Sequence, residues 1–348
     1  MMRAWILERI KDIDSNRSLL KQVDMPKPSP GETDLLIRIS VCGICHTELD
    51  EIEGRTPPLI FPMILGHQIV GIVEEKGSKV TQIQEGQRVG IGWYHHSCGE
   101  CDFCKTGFQN LCSEYHATGR DVPGGYAEYV TVPETSAFPI PEIFDDHEAA
   151  PLLCAGAIGY RSVHLTGMKD GNVLGLTGFG ASGHLVLKLV RYLYPNSSVQ
   201  VFARNKKERE FALELGASWA GDTQEKSPLL NHAIIDTTPV WQPVIKALEN
   251  LRPGGRLVIN AIRKQANDKD SLMALDYASH LWMEKEIKSV ANVAPSDIEM
   301  FLKLASEIPI IPEVQCYPFA DVNHALSELK DGIIRGAKVL CVAKDKVK

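Results

Sequence analysis

The hydrophobic pattern of this chain changes character near residue 155. Before that point, short runs of apolar and β-branched residues, such as 35–39 and 69–73, alternate with segments rich in Pro and Gly. Short apolar runs bounded by turn residues are typical of strands. We therefore predict a β-rich barrel or sandwich over the first part of the chain.

After residue 155, apolar runs of strand length alternate with stretches of helical periodicity. This alternation predicts a parallel sheet with helices on both faces, a doubly wound α/β arrangement. The predicted strands are 173–177, 199–203, 233–236 and 256–261, and the predicted helices are 182–194, 206–215 and 240–251. A last group comprises predicted helices at 297–307 and 322–330, with strands near 314 and at 338–342.

The composition is that of an ordinary globular protein and excludes several kinds of partner. Of the 348 residues, 44% are hydrophobic and 23% are charged, and the net charge is −7. Binding to nucleic acid or to an anionic membrane needs a basic surface, so we expect neither partner. No apolar run approaches the roughly 18 residues of a membrane-spanning helix. The first residues also lack the long apolar core of a signal peptide.

The cysteines favour metal binding. Their number, nine, is odd, and no signal precedes them, which predicts reduced thiols and a cytoplasmic location. Four lie close together, at Cys98, Cys101, Cys104 and Cys112. Zinc takes four soft ligands in a tetrahedron, and a short loop of this kind supplies three of them. Disulfides, which need an oxidising compartment, and chance clustering are the alternatives. We predict a structural zinc site in this lobe.

A glycine-rich turn follows the first predicted strand of the α/β region. Gly178, Gly180 and Gly183 have the spacing of a dinucleotide-binding turn between a strand and a helix. The first glycine permits the turn, the second lets the backbone approach a pyrophosphate, and the third allows close packing of helix and strand. Free N–H groups at the helix start bind phosphate oxygens. The alternative is an ordinary strand-to-helix turn that contains glycines.

The residues after the next predicted strand bear on the choice of cofactor. An NAD site usually has Asp or Glu about 20 residues past the glycine turn, where it binds the ribose 2′-hydroxyl. This chain has Ala203 there, followed by Arg204 and then by Lys206 and Lys207. Arg binds a 2′-phosphate with two hydrogen bonds, whereas an acid would repel it. We therefore favour NADP over NAD; the alternative is that Arg204 is a solvated surface charge.

A second set of metal-ligating residues is spread over about a hundred positions. It comprises Cys42 and Cys45, His67, and Cys154 near the change in pattern. Two thiolates and one imidazole hold zinc with one open position, as catalytic zinc sites do. Each residue also has a plainer interpretation, because His67 could be a hydrogen-bonded core histidine and Cys154 a small buried apolar residue. Spacing alone leaves these alternatives open.

Taken together, these motifs resemble those of the zinc-dependent medium-chain alcohol dehydrogenases, over nearly the whole chain. The matching pieces are Cys45-His46-Thr47, Gly66-His67, the four-cysteine lobe, residues 150–156, the glycine-rich turn and residues 335–340. The resemblance implies a GroES-like, β-rich catalytic domain over 1–154 and 297–348. It also implies a Rossmann dinucleotide-binding domain over 155–296.

The resemblance also implies roles for individual residues. In this family the zinc ligand is the cysteine immediately before the basic residue, so the ligands of the catalytic zinc would be Cys45, His67 and Cys154. Cys42 then has no family role, and we expect it to pack. Thr47 corresponds to the hydroxyl that relays the substrate proton.

Cofactor contacts follow from the same resemblance. His46 and Arg335 correspond to residues that bind the cofactor pyrophosphate, and Asn260 and Ala291 lie in segments that flank the nicotinamide. Two zinc ions per chain are implied, one catalytic and one structural. Just before the cysteine lobe, Trp93 and Tyr94 are candidates for walls of the substrate pocket or for ordinary packing.

Three residues depart from the family pattern. Gln68 stands where the family usually has Glu after the zinc-binding His, which removes a negative charge beside the metal. Glu48 stands where an Asp usually orients that His, and it is one methylene longer. Asp50 stands where a His often ends the proton relay, so the relay would run to water or to Asp50. These changes put the pH profile and the substrate range in doubt.

The implied reaction is reversible hydride transfer between a small-molecule alcohol or aldehyde and a nicotinamide cofactor, in the cleft between the domains. A zinc-free reductase of the same fold, acting on enones or quinones, is one alternative. A nucleotide-sensing or structural protein is the other. The presence of Thr47 and of all three ligands argues against both. The family resemblance also implies a homodimer or homotetramer, joined through edge strands near residues 255–261.

Overall fold

The chain forms two compact units. The computed structural model describes residues 1–14, 17–308, 310–333 and 335–343. The first unit comprises Met1–Cys154 and Val293–Lys348, and the second comprises Ala155–Asn292. The chain thus returns to the first unit at Val293 rather than at residue 297.

The strands of the described residues are numbered along the chain. They are β1 (Met2–Leu7), β2 (Lys21–Met25), β3 (Asp34–Ile44), β4 (Met63–Ile64), β5 (Ile69–Lys76), β6 (Arg88–Ile91), β7 (Tyr94–His96), β8 (His116–Ala117), β9 (Tyr129–Pro133), β10 (Ala137–Pro139), β11 (Val173–Thr177), β12 (Ser198–Phe202), β13 (Trp219–Gly221), β14 (Asn231–Asp236), β15 (Leu251–Ile259), β16 (Glu286–Ser289), β17 (Val314–Pro318) and β18 (Ala337–Cys341).

The α-helices are numbered in the same way. They are α1 (His46–Ile52), α2 (Asp102–Lys105), α3 (Asp146–Pro151), α4 (Ala157–Thr166), α5 (Ala181–Leu193), α6 (Lys206–Glu214), α7 (Gln242–Glu249), α8 (Pro295–Glu307) and α9 (Val322–Lys330). A π-helical turn, Leu152–Gly156, joins α3 to α4. Within the described part of the chain, no helix has both the length and the apolar character needed to cross a membrane.

The first unit is built mainly of antiparallel sheets, as its strand pattern predicts. Its largest sheet has the order β10-β6-β5-β3-β18-β17, and β9 also pairs with β3. The long strand β3 pairs with β9, β5 and β18 along most of its length, so its backbone groups are satisfied within the sheet. Its side chains are mostly buried. The last strand, β18, runs antiparallel to β3, with Lys338 opposite Ile44. This pairing places β18 beside the segment that leads to Cys45.

The second unit contains a six-stranded, fully parallel sheet, as predicted. Its order is β13-β12-β11-β14-β15-β16. This is the 3-2-1-4-5-6 order of a doubly wound nucleotide-binding sheet, in which ligands bind where the order reverses, here between β11 and β14. The α/β class and the Rossmann arrangement are therefore confirmed.

The predicted boundaries of the helix over 240–251 and of the strand over 256–261 are wrong. The helix predicted over 240–251 ends at Glu249, and Leu251 already begins β15. The Asn250 side chain donates hydrogen bonds to the carbonyls of Lys246 and Glu225, which ends the helix and turns the chain back into the sheet. A shift of register opposite β14 then lets β15 begin five residues before the predicted strand.

The predicted subunit contact at an edge strand near 255–261 is also misplaced. β15 lies between β14 and β16, so this part of the chain is in the interior of the sheet. The edge strand on this side of the sheet is β16, and all four of its residues are exposed. β16 has four residues, of which three are polar. A strand this short has no repeated alternation of apolar and polar residues, so the sequence does not predict it.

Candidate metal centres and nucleotide site

Three different elements of the first unit bring Cys45, His67 and Cys154 together. Cys45 caps the N-terminus of α1, His67 precedes β5, and Cys154 lies in the π-helical turn. His67 Nε2 lies 3.7 Å from Cys45 Sγ and 3.2 Å from Cys154 Sγ. All three ligand atoms lie within 4.8 Å of one another. A nitrogen and a sulfur bound to one tetrahedral zinc lie about 3.5 Å apart, so the donor set fits zinc.

The backbone before His67 needs a glycine. Gly66 has φ +97°, and a Cβ there would lie 2.6 Å from the ring of Tyr126 and 3.0 Å from Cys42 Sγ. Both the left-handed backbone and the lack of space therefore exclude a side chain. Cys42 itself is fully buried in the core, as expected from its lack of a family role.

Glu48 holds two of the three candidate ligands. Its Oε2 accepts a hydrogen bond of 2.8 Å from the backbone N–H of Cys45. Its Oε1 lies 2.6 Å from His67 Nδ1, as an ion-pair contact between two fully buried side chains. A carboxylate on Nδ1 leaves Nε2 free to face a metal. The Glu48 side chain, one methylene longer than Asp, therefore reaches both the Cys45 N–H and His67 Nδ1.

Charge in this cluster suits a divalent cation. Burial disfavours the imidazolium of His67, but the charges of Glu48 and Cys45 outweigh burial and raise the pKa of His67 well above its usual value. The adjacent Cys154, burial and Glu48 raise the pKa of the Cys45 thiol well above its usual value. Several groups that can carry negative charge thus lie close together in a buried region, where they hold their protons more tightly. A bound metal ion would stabilise their deprotonated forms.

The other two departures from the family pattern have clear surroundings. Asp50 is paired with Arg55 through Oδ1 and Nε, so its carboxylate is already engaged. Gln68 is buried and packs over the backbone of Gly43, where a Cβ would lie 2.7 Å from Gln68 Oε1. Thr47 is the second residue of α1, and its backbone N–H donates a hydrogen bond of 3.4 Å to Cys45 Sγ.

A buried acid near this cluster was missed by the sequence analysis. Glu51 is fully buried, and the group nearest to a hydrogen-bond partner for its carboxylate among the described residues is the Trp93 indole, whose geometry is outside the normal hydrogen-bond range. Burial and then the charge of Glu48 raise the pKa of Glu51 well above its usual value. Its place three residues after Glu48 in α1 is a weak signal, because the same spacing is common on solvated helix faces.

Trp93 and Tyr94, the candidate pocket walls, are both buried. Each ring packs against Tyr115, at centroid distances of 5.7 and 5.8 Å, and the Arg120 guanidinium lies 4.8 Å from the Trp93 ring. The hydroxyl of Tyr115 is buried without a hydrogen-bond partner in the described ranges, and the indole N–H of Trp93 lies near the Glu51 carboxylate, outside normal hydrogen-bond geometry. These aromatic side chains therefore pack together and also present polar atoms.

The four lobe cysteines form a second group in the first unit. The Sγ atoms of Cys98, Cys101, Cys104 and Cys112 lie within 4.8 Å of one another. Cys98 Sγ is 3.5 Å from Cys112 Sγ and 3.9 Å from Cys104 Sγ. Sulfurs on one tetrahedral zinc lie about 3.8 Å apart, so the donor set fits a closed zinc site. Backbone N–H groups of Glu100 and Cys101 lower the pKa of Cys98 to about 7, which favours the thiolate.

The predicted nucleotide site lies in the second unit, at the reversal of strand order. Gly178 has φ +82°, and a Cβ there would lie 2.6 Å from Thr237 Oγ1. A Cβ on Gly183 would lie 3.1 Å from Gly178 O, which reflects the close packing of turn and helix. At Gly180 a Cβ would meet no atom of the described residues within 4 Å. This open cradle and the uncapped start of α5 fit a pyrophosphate.

The end of β12 carries the predicted cofactor-selecting residues. Ala203 is buried, while Arg204, Lys206 and Lys207 are exposed. Arg209 donates hydrogen bonds of 2.7 and 2.8 Å to the carbonyls of Ala203 and Arg204, which fixes the loop backbone. The loop after β12 is therefore positively charged, and Ala203 at its start carries no acidic side chain.

The remaining predicted cofactor residues lie in both units. In the first unit, His46 is an exposed residue at the start of α1, and Arg335 is an exposed residue just before β18. In the second unit, Asn260 directly follows β15 and its N–H donates to Asp236 O at 2.7 Å, while Ala291 lies after β16.

A doubly wound nucleotide-binding unit joined to a β-rich unit with two sets of zinc-type ligands defines a two-domain, zinc-type dehydrogenase. Residues 31–142 match the alcohol dehydrogenase GroES-like domain family. A probable alcohol dehydrogenase of Mycobacterium tuberculosis is 38% identical over 346 residues, which cover 98% of this chain and 97% of the relative. The chain belongs to the zinc-type medium-chain alcohol dehydrogenase family, whose members are oxidoreductases.

Two solved structures show the same fold at 25% identity. One is a thermostable alcohol dehydrogenase of Pyrobaculum aerophilum with cobalt and zinc bound, with a TM-score of 0.84 over 98% of this chain and 99% of that chain. The other is a putative zinc-binding dehydrogenase of Sinorhizobium meliloti bound to NADP, with a TM-score of 0.81 over the same shares of the two chains.

Proposed function

We propose that this chain is a zinc-dependent, NADP-preferring alcohol dehydrogenase that also works as an aldehyde reductase. Alcohol dehydrogenase activity is the activity of its family. The observation that carries the zinc dependence is the convergence of Cys45, His67 and Cys154 with Glu48 behind them. A zinc-free enone or quinone reductase of the same fold has no use for this donor set.

The two cysteine-containing groups would hold zinc in different ways. Cys45, His67 and Cys154 leave one coordination position for water or substrate, whereas the four lobe cysteines close their site. In the open site, zinc supplies Lewis-acid polarisation of the alcohol or carbonyl oxygen, and the nicotinamide carries the hydride. Glu48 orients His67 and also fixes the backbone of Cys45.

The proton of the alcohol would leave through Thr47. Its position directly after His46, two residues from a ligand, matches that of the family's relay hydroxyl. Because Asp50 is engaged by Arg55, we propose that the relay from Thr47 ends in water rather than at Asp50.

The cofactor would bind along the glycine-rich turn of the second unit. Gly178, Gly180 and the start of α5 would provide the cradle for the pyrophosphate. Arg335 is proposed to contribute positive charge to it, and His46 is proposed to donate a hydrogen bond. Arg204, supported by Lys206 and Lys207, would bind the 2′-phosphate of NADP, while Ala203 places no acid against it. Asn260 and Ala291 are proposed to lie near the nicotinamide.

Assembly as a homodimer or homotetramer is also proposed, through β16 rather than β15. The exposed edge of β16 offers unpaired backbone groups for pairing with a second copy. Ile287 within β16 is 45% exposed, and Trp282 and Met283 just before it are 56% and 53% exposed. Light scattering at micromolar concentration should show a species larger than the monomer, and a monomer would contradict this.

A cofactor comparison combined with a substrate screen tests the proposed function. The zinc-loaded protein is assayed with a panel of alcohols and aldehydes, each with NADP(H) and with NAD(H). We expect activity that Cys154→Ser abolishes and a kcat/KM higher for NADPH than for NADH. A charge-assisted hydrogen bond contributes roughly 1.5–3 kcal/mol, so Arg204 is expected to shift preference by about ten- to a hundredfold.

Paired substitutions separate the cofactor proposal from the activity itself. Ala203→Asp with Arg204→Ile should move the preference toward NADH while the enzyme stays active. Lys226→Ile removes a cation elsewhere in the same unit and should change neither cofactor's kcat/KM. Equal or NADH-favouring values for the unmodified protein would overturn the NADP preference, and absence of activity with any substrate would overturn the enzymatic function.

A further inference from the structure

A third group of soft metal ligands lies in the first unit, outside both proposed zinc centres. His147, Cys316 and Cys341 place one ligand atom each within 4.8 Å of the others. His147 Nε2 and Cys341 Sγ are 3.3 Å apart, as close as the histidine and cysteine pairs of the first group. Neither the family motifs nor the sequence spacing assigns a role to these residues.

Sheet register explains why the two cysteines meet. β17 and β18 are parallel neighbours, with Cys316 opposite Val339. Cys341 lies two residues beyond Val339, and residues two apart in a strand point to the same face. The two thiols therefore lie on one face of the sheet, at diagonal positions.

The opposite face of the same two strands is held rigidly. Lys338 is 2% exposed, and its Nζ donates to Glu328 Oε2 at 2.8 Å and to Gln315 Oε1 at 3.2 Å. Nζ also lies within hydrogen-bond distance of the Tyr317 hydroxyl. This cluster links β17, β18 and α9, so the register that aligns the thiols is fixed by contacts that do not involve them.

The imidazole is aimed at the thiols from a third element. His147 is the second residue of α3, directly after the helix start, and Asp145 is the N-cap. His147 Nδ1 lies 3.7 Å from Asp145 Oδ1, while Nε2 faces Cys341. Asp145 is too far from Nδ1 for a hydrogen bond and acts on the imidazole only through its charge. The ring is therefore oriented by the start of α3, with Nε2 directed at the Cys341 thiol.

We propose that His147, Cys316 and Cys341 bind a third soft divalent cation, with zinc as the physiological ion and a solvent molecule completing the tetrahedron. Two thiolates balance the charge of the ion, and the imidazole adds a neutral ligand. Cys316 is exposed, so the site is open to solvent. The ion would tie α3 to the last two strands of the first unit, and α3 leads directly into the turn that carries Cys154.

Metal stoichiometry in the full-length protein tests this site. Protein prepared with zinc under reducing conditions, and freed of loosely held metal by gel filtration, is analysed for zinc per chain. We expect three ions in the unmodified protein and two in Cys316→Ser and in His147→Gln. His164→Gln serves as a matched control, because His164 is an exposed histidine in α4 of the second unit, and it should keep three.

Cobalt gives a second readout that does not depend on enzymatic activity. Protein that holds zinc in the two other centres is titrated with Co²⁺, and the thiolate-to-cobalt absorption is recorded. The unmodified protein should show the band and Cys316→Ser should not. An absent band at saturating Co²⁺, or an equal band in Cys316→Ser, would overturn the proposal. A Cys316–Cys341 disulfide found by mass spectrometry in protein kept under reducing conditions would also overturn it, since the pair would then be a redox couple.

Discussion

Glu48 shows how one side chain can support two ligands at once. It caps α1 through the Cys45 N–H and contacts His67 Nδ1, both from a fully buried position. A shorter Asp at this position would have to reach the same two groups from farther back. The extra methylene is therefore compatible with the site and couples the start of α1 to the orientation of His67.

Replacement of Glu48 is expected to weaken zinc binding at the proposed open site before it affects the proposed closed site. Glu48→Gln keeps the size of the side chain but removes the carboxylate charge that faces His67. Loss of such a partner lowers metal affinity about 10–100-fold. Competition with a chromophoric chelator measures the affinity of the more labile ion. Glu75→Gln, at an exposed carboxylate, is the control. Unchanged affinity in Glu48→Gln would show that Glu48 does not support His67.

Thr47 is predicted to carry the substrate proton. Thr47→Ala should leave cofactor affinity intact and lower kcat by about 10²–10⁴-fold, because only the proton path is cut. Thr47→Ser retains the hydroxyl and should recover most of the rate. Stopped-flow kinetics, with cofactor binding measured separately by fluorescence, checks both. A fully active alanine variant, under conditions where proton transfer contributes to the rate, would exclude Thr47.

At the scale of elements, the end of β14 contains a buried ion pair. Asp236 is fully buried, and Lys264 is 7% exposed and contacts its Oδ2. Lys264 Nζ also donates to the carbonyls of Thr238 and Val240, at 2.7 and 3.0 Å. The lysine thereby closes the loop that follows β14 over the end of the sheet.

Removal of the lysine is expected to destabilise the protein by about 3–5 kcal/mol, because Lys264→Met leaves an uncompensated buried carboxylate. Burial already raises the pKa of Asp236, and Lys264 opposes that rise. A carboxyl with a raised pKa in the folded state contributes stability at low pH and loses it as pH rises through that pKa. The destabilisation should therefore grow as pH increases.

Urea unfolding of both proteins, at a mildly acidic and a mildly alkaline pH, measures this difference. The double variant Asp236→Asn with Lys264→Met removes the charge as well and should recover most of the stability at the higher pH. A loss of unfolding free energy in Lys264→Met that is independent of pH would contradict the buried-charge explanation. So would a loss that the double variant does not reduce.

At the scale of the whole molecule, the two proposed zinc centres should differ in lability. Mild chelation should remove the ion held by Cys45, His67 and Cys154 and abolish activity, because that site has an open position. The four-cysteine site should keep its ion, so the unfolding temperature should change little. Zinc analysis, activity and thermal unfolding are followed together, and added zinc should restore activity. Simultaneous loss of activity and fold, or native protein with at most one zinc, would contradict the two-centre proposal.

How far the sequence could predict this molecule depends on how local each signal is. The glycine-rich turn and the cysteine lobe could be predicted because their residues lie within a short span. The parallel sheet could also be predicted, since each strand and helix has its own periodicity. Family resemblance rather than spacing selected Cys45, His67 and Cys154. Strand pairing across the chain brings His147, Cys316 and Cys341 together, and no local pattern encodes it.

The position of β18 has a consequence for the order in which the chain can fold during synthesis. The second unit, Ala155–Asn292, is one continuous segment, so all of its strands are available before residues 293–348 are made. The first unit lacks β18, one of the three strands that pair with β3, until residues 337–341 have left the ribosome. The nucleotide-binding sheet should therefore become protease-resistant on arrested chains that end before β18, while the metal-binding unit remains cleavable. Equal protection of both units at that length would exclude this order. The proposed ligands of the two zinc centres, at positions 45–154, emerge first from the ribosome, and the sheet that supports them is completed last.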